Sequence, residues 1–232
     1  YAYDPIGNRE WARMNGNEER YLANELNQYT QITNLQTQSA PAYDPDGNMT
    51  SWNGWTFSWD AENRLVMASN PVTVVENTYD YMSRRIQKRV YVWDADRWSP
   101  KADHAFLYDG WNMISDLCHL PSEMQTNVRS FVWGLDLSGS LQGAGGIGGL
   151  LCQFQGRANS PSEPFFSLYD GNGNLTSLVS TNGAIAARYE YDPYGNLLAS
   201  SGPEAPGNPF RFSTKYFDGE TGLYYYGFRF YS

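Results

Sequence analysis

Cysteine is nearly absent from this chain of 232 residues, in which Cys118 and Cys152 stand alone. Two thiols are too few for a disulfide framework, and neither has the CxxC spacing that holds zinc. Both lie in apolar, strand-like text, which favours free buried thiols over a bridge. Histidine is as scarce: neither His104 nor His119 has neighbours in sequence that would complete a metal set or a triad, so each reads as a solvated or internally satisfied group. Basic residues are outnumbered, 16 Lys and Arg against 25 Asp and Glu, for a net charge of -9. A nucleic-acid backbone would be repelled, which excludes a nucleic-acid surface. No apolar run reaches the roughly 20 residues of a membrane span. The best window, LDLSGSLQGAGGIGGLL from Leu135, is broken by Asp136, Gln142 and six glycines. Helical apolar spacing is missing too, apart from a weak stretch, NEERYLANELNQ, from Asn17 to Gln28.

What the chain does have is aromatic residues and turns. Tyr (18), Phe (11) and Trp (8) make up 16% of it, which favours strands, and 22 Gly and 12 Pro are spread along its whole length. One phrase recurs: YDPIGN from Tyr3, YDPDGN from Tyr43 and YDPYGN from Tyr191. In D-P-x-G the Asp opens a type I turn, the Pro presets φ at the next position, and the Gly accepts the left-handed backbone that closes a bulged hairpin loop. Looser copies begin at Trp59, Tyr79, Tyr108, Tyr169 and Tyr216. The repeat-turn residues are therefore Tyr3, Asp4, Gly7 and Asn8; Tyr43, Asp44, Gly47 and Asn48; Tyr169, Asp170, Gly173 and Asn174; Tyr191, Asp192, Gly195 and Asn196; and Asp218 with Gly222. Asp170 to Asp192 is 22 residues and Asp192 to Asp218 is 26, room for two strands and two turns per copy. Such units bury no face alone, so successive hairpins are expected to stack into one antiparallel sheet with tyrosines laddered across it.

These phrases, with FLYDGWNMI, WGLDLSGSLQGAGGIGGLL and NPFRFSTKYFDGETGLYYYGFRFY in that order, resemble the RHS or YD-repeat family, and the last stretch resembles the core that ends its repeat arrays. The resemblance implies an all-β fold in which a continuous, curved hairpin sheet forms part of a hollow shell. Residues 1–168 would be repeat array and 169–232 core-like repeats of the same architecture. In toxin members the shell encloses a C-terminal effector, so the implied role is structural and non-catalytic, with an enclosed or neighbouring polypeptide of the same parent as partner and a secreted or cell-surface location. The family's self-cleavage motif opens with a D-P-x-G phrase; DPIGN at Asp4 resembles it but lies at the opposite end and lacks the following glycines, so it reads as a turn.

Sharper chemistry is sparse. GAGGIG from Gly143 fits G-x-G-x-x-G, and Glu163 lies 20 residues on, but it falls between Pro161 and Pro164 and no helix pattern follows the glycines, so no cofactor is assigned. The conspicuous carboxylates are the turn aspartates. The sequons at Asn48 and Asn174 arise from the repeat phrase itself. No catalytic or metal residue is assigned. An alternative to the shell is a carbohydrate-binding or adhesive surface on which Trp52, Trp55, Trp98 and Trp111 stack on sugars, and another is a self-assembling β filament. Strand-like text at both ends, without an initiator Met, leads to the expectation that the chain is an excerpt of a longer protein. YAYD and LYYYGFRFY are expected at open sheet edges, which invite self-association.

Overall fold

The computed structural model describes residues 1–14, 16–34, 38–123, 126–157 and 163–232. Pro161 of the glycine-loop reading lies outside them. Two compact units divide the chain, Tyr1–Val74 and Val75–Ser232. The first holds an antiparallel sheet of β1 (Ala2–Tyr3), β2 (Arg9–Met14), β3 (Asn17–Ala23), β4 (Tyr29–Thr33) and β5 (Gln38–Ser39), paired in sequence order. It continues with the meander β6 (Ala42–Tyr43), β7 (Met49–Trp52), β8 (Trp55–Trp59) and β9 (Leu65–Ser69). The pairing is interrupted between β5 and β6, where Pro41 has no N–H to offer a ladder. The stretch with weak helical spacing is strand β3 followed by a turn. Alternation decides it: Tyr21 is buried and Leu22 exposed.

In the second unit the meander is β10 (Thr73–Tyr79, which begins across the unit boundary), β11 (Arg85–Asp94), β12 (Arg97–Asp109), β13 (Asn112–His119) and β14 (Asn127–Trp133). It goes on through β15 (Leu150–Arg157), β16 (Pro164–Tyr169), β17 (Leu175–Ser180), β18 (Ile185–Tyr191) and β19 (Leu197–Ser201), each beside the next. A 3-10 turn, Phe212–Thr214, is the one helical element among the described residues. The architecture is thus all-β and antiparallel, built from hairpins in chain order.

The chain's last aromatic text departs from expectation. LYYYGFRFY adds no edge strand to the meander; β20 (Tyr216–Asp218), β21 (Leu223–Tyr225) and β22 (Phe230–Tyr231) form a small sheet of their own. Phe210, Tyr216 and Tyr225 pack against Phe106, Met113, Phe131 and Leu150 in one core cluster. Burying these rings outweighs what further ladder pairing would contribute. The meander's edge strand is instead β19, LLASS, exposed at every residue. A second cluster joins Leu175, Leu178, Ala187 and Tyr189 to Ala205.

Candidate functional site

The repeated turn is a closed polar unit. In the copy at Asp44 the Gly47 N–H donates to the Asp44 carbonyl at 3.0 Å, and the Asp44 N–H to the Asn48 carbonyl at 2.9 Å. The carboxylate accepts from the Asn48 N–H at 2.8 Å and the Asn48 side-chain amide at 3.1 Å. The same pattern recurs at Asp4 with Asn8, Asp170 with Asn174 and Asp192 with Asn196. At Asp60 and Asp80 an arginine replaces the asparagine, Arg64 and Arg84 donating Nε at 2.8 Å. The fourth position of these turns is left-handed, with φ of 94° at Gly7, 87° at Gly47, 88° at Gly195, and Asn63 and Ser83 where glycine is absent. A further copy is hidden at Asn24, whose Oδ1 accepts from the Leu26 and Gln28 N–H groups. Burial would raise the Asp4 and Asp44 carboxyls, but donation by Asn8 and Asn48, side chain and backbone, holds both below the ordinary range.

In several copies the aromatic residue at the end of a strand links one hairpin to the one before it. Tyr43 OH donates to the Tyr29 carbonyl and Trp59 Nε1 to the Met49 carbonyl. Tyr108 OH reaches the Arg85 carbonyl, Trp133 Nε1 that of Met113, Tyr169 OH that of Leu150, and Tyr191 OH that of Leu175. Each of these rings sits beside a register shift, as between Ser58 and Trp59 or Leu168 and Tyr169. A bulge leaves a carbonyl without its ladder partner, and the next ring supplies one. The recurring tie is therefore ring donor to carbonyl, in place of the ring-on-ring ladder expected.

Asp218 differs from the other turn aspartates. Its carbonyl still accepts from the Gly222 N–H at 2.8 Å, but its carboxylate turns inward. Arg85 grips it with two bonds, 2.6 and 3.1 Å, and Lys88 adds a third at 3.1 Å before reaching Glu220 at 3.0 Å. Arg85 is fully buried, its guanidinium between the rings of Phe106, Tyr216, Tyr225 and Phe230 at 4.6 to 5.7 Å. Burial works to raise the Asp218 carboxyl, but the charges of Arg85 and Lys88 prevail and hold it low. Beside this lies buried Asp116, accepting from Arg129 at 3.2 Å and Tyr216 OH at 3.0 Å. These ties, up to 133 residues apart in sequence, seat the C-terminal segment on the sheet.

His104 has partners that its sequence neighbours do not show: its Nδ1 lies 2.8 Å from Asp116 Oδ1 and its Nε2 3.5 Å from Cys118 Sγ, because His104 and Cys118 are direct cross-strand partners. A carboxylate only accepts, so Nδ1 carries the proton. Burial pushes the Cys118 thiol up to about 11, so it rests protonated at neutral pH. Both cysteines are free.

The glycine loop encloses an anion of its own. Asp136 accepts from the Ala144 and Gly146 N–H groups and from Ser138, at 2.6 to 3.1 Å. Burial opposes ionisation there, but the Ser138 hydroxyl and these amides lower the carboxyl to about 2. The cradle suggested by G-x-G-x-x-G is filled by the chain's own carboxylate. Asn174 is buried and donates to Asp170 while accepting from Ser213 N–H, which leaves its amide closed to glycosylation. Trp52 and Trp55 are half-buried cross-strand partners, Trp98 is 42% exposed against Trp93, and Trp111 packs on Phe228 with ring centres 4.4 Å apart. They form no single exposed row.

A family model for the RHS repeat matches residues 169–205. Over the whole chain, the tRNA3(Ser)-specific nuclease WapA of Bacillus spizizenii is 26% identical and the tRNA nuclease WapA of Bacillus subtilis strain 168 is 27% identical. The chain spans 9% of the length of each. Among solved structures, TcdB2–TccC3 superposes with a TM-score of 0.66 at 16% identity, covering 93% of this chain and 12% of that one. The same pair without its hypervariable C-terminal region gives 0.62 at 15% identity, with the same coverage. At these identities the likeness is one of fold. Repeated turn chemistry, hairpin sheet and the match over residues 169–205 together make the chain similar to the RHS, or YD-repeat, family.

Proposed function

We propose that the chain is a stretch of YD-repeat shell wall, with 1–168 as array and 169–232 as its core-like end, and that this wall encloses or displays a polypeptide of the same parent, such as a C-terminal toxin or effector. The relatives named as nucleases are about eleven times longer than this chain, and the reading assigns their chemistry to the parent and a non-catalytic role to the wall. A secreted or cell-surface location follows from the same family reading. One observation carries it. Register places Val132 opposite Cys152, Cys152 opposite Phe166, Phe166 opposite Val179 and Val179 opposite Ile185. Val132, Phe166 and Ile185 are 44%, 46% and 55% exposed, on the face that alternates with buried Phe131 and Gln153. An apolar row of this kind marks a surface that another polypeptide covers.

The test is a fluorophore on Phe166→Cys, made with Cys152→Ser, in the parent protein and in the 232-residue chain. Cover in the parent shifts emission to the blue and protects it from iodide; equal quenching in both forms overturns the reading. The adhesive alternative rests on the Trp93–Trp98 pair, half exposed at a hairpin tip with ring centres 5.3 Å apart. Glycan-array binding abolished by Trp98→Ala would favour it.

A further inference from the structure

Between the β12–β13 turn, the glycine loop and the C-terminal segment lies a cavity of about 290 Å3. Its walls are rings: Trp133, Phe210 and Tyr225 line it, and Trp111 and Phe228 carry the wall outward, Phe228 being 70% exposed. Most of the polar atoms on the wall are already engaged. The Gln142 amide bonds the Asp109 carbonyl and the Trp111 N–H. Tyr108, Tyr216 and Tyr225 spend their hydroxyls on Arg85 and Asp116, and the Thr214 hydroxyl lies between Gly173 and Gly148.

Lys215 is the cation of this wall. Its ammonium donates to the Gly145 carbonyl, lies 5.5 Å from the Tyr226 ring and has no carboxylate within ion-pair distance among the described residues. The carboxylate whose field it feels, Asp136, is occupied by the glycine-loop amides. The backbone leading to Lys215 is strained: Ser213 and Thr214 are both left-handed, with φ of 51° and 52°. For a β-branched residue that is a genuine outlier. It is held by Ser213 N–H on Asn174 and by the two bonds of the Thr214 hydroxyl. Such strain persists where the surroundings over-determine it, and it concentrates at binding sites.

We infer that this cavity binds an aromatic carboxylate, its ring against Trp111, Phe210 and Phe228 and its carboxylate on the Lys215 ammonium. Flat walls favour a planar ring in offset or edge contact. The volume lies just below the usual range of small-molecule pockets, about 300 to 1,000 Å3, so one ring with a short acid fills it. A sugar is disfavoured, because its hydroxyls would meet hydroxyls and amides that are largely committed elsewhere. The same chemistry is offered by a free aromatic acid and by an aromatic side chain next to Asp or Glu in a polypeptide.

Calorimetric titration of the 232-residue chain decides, with indole-3-acetate, indole-3-acetamide, cellobiose and a blocked Phe-Asp dipeptide as probes. The acid should bind about tenfold more tightly than its amide, the ratio that 1.4 kcal/mol gives. Lys215→Gln should remove that preference, and Phe228→Ala should weaken the acid severalfold without moving the thermal midpoint. Should Lys215→Gln fail to fold, the acid-to-amide ratio of the unaltered chain and Phe228→Ala still decide. The tighter of acid and dipeptide identifies the source. Equal binding of acid and amide, preference for cellobiose, or no binding by either acid or dipeptide overturns the inference.

Discussion

Asp44 and Asp218 each open a hairpin turn, yet their carboxylates have opposite surroundings. Asp44 bonds within five residues of chain, whereas Asp218 is buried and bonds to cations 130 and 133 residues away. The first type of turn can be repeated indefinitely, because each copy satisfies its own polar groups. The second occurs where a segment must be fixed to a particular place. Local closure builds sheet, and buried charge selects a position on it.

The largest effect should come from breaking the seat. Asp218→Ala leaves buried Arg85 without a carboxylate and Lys88 with Glu220 alone, and should cost about 3 to 5 kcal/mol in urea unfolding. Replacing Arg85 and Asp218 together by Met and Leu should cost less than Asp218→Ala alone; a larger loss would show that the pair contributes net attraction. Acid probes the same contrast. The Asp116 and Asp218 carboxyls are held below their ordinary values, against burial, by His104 and by Arg85 respectively. The stability they contribute is present above the unfolded carboxylate value of about 4 and lost as pH falls through the folded one. Urea midpoints measured from pH 7 to 3 should therefore fall less steeply in Asp218→Ala.

Next come the turns. A Cβ on Gly195 would lie 2.6 Å from the Phe212 ring at φ +88°, whereas one on Gly7 meets nothing at φ +94°. Gly195→Val should cost about 2 to 4 kcal/mol, combining backbone strain with overpacking. Gly7→Val should cost about 1 to 2 kcal/mol from backbone alone. Tyr169→Phe orphans the buried Leu150 carbonyl and should cost about 1 to 2 kcal/mol. Asn48→Ala, at a solvent-facing turn, should cost about 0.5 kcal/mol.

The hairpin sheet was legible in the sequence because its rules are local. D-P-x-G declares its turn, and alternation around Tyr189 and Tyr191 declares its strands. The turn at Asn24 escaped because Asn stands for Asp and Asn27 for Gly, while NEERYLANELNQ mimics helical spacing. The seat was not legible, because a charge in a sequence is ordinarily read as surface. On β11 the order is inverted: Arg85 and Lys88 face the core and Ile86 is exposed. That inversion is the one signal present, but its meaning depends on Asp218, and nothing local in sequence pairs them. The packing of Trp111 on Phe228 was likewise invisible, because nothing local in sequence pairs them.

The seat also sets a count. Its cations lie at the start of β11, and Asp218 returns only after the strands through β19 have been laid down. A hairpin added or lost elsewhere in the array would leave every turn and ring donor satisfied, and the chain would tolerate it as a change of length. The same event between Lys88 and Asp218 would carry the carboxylate about one hairpin away from its cations and bury charge unpaired. The Arg85–Asp218 pair therefore behaves as a ruler: it makes the number of repeats between its two ends a selected quantity, while leaving the number outside them free to drift.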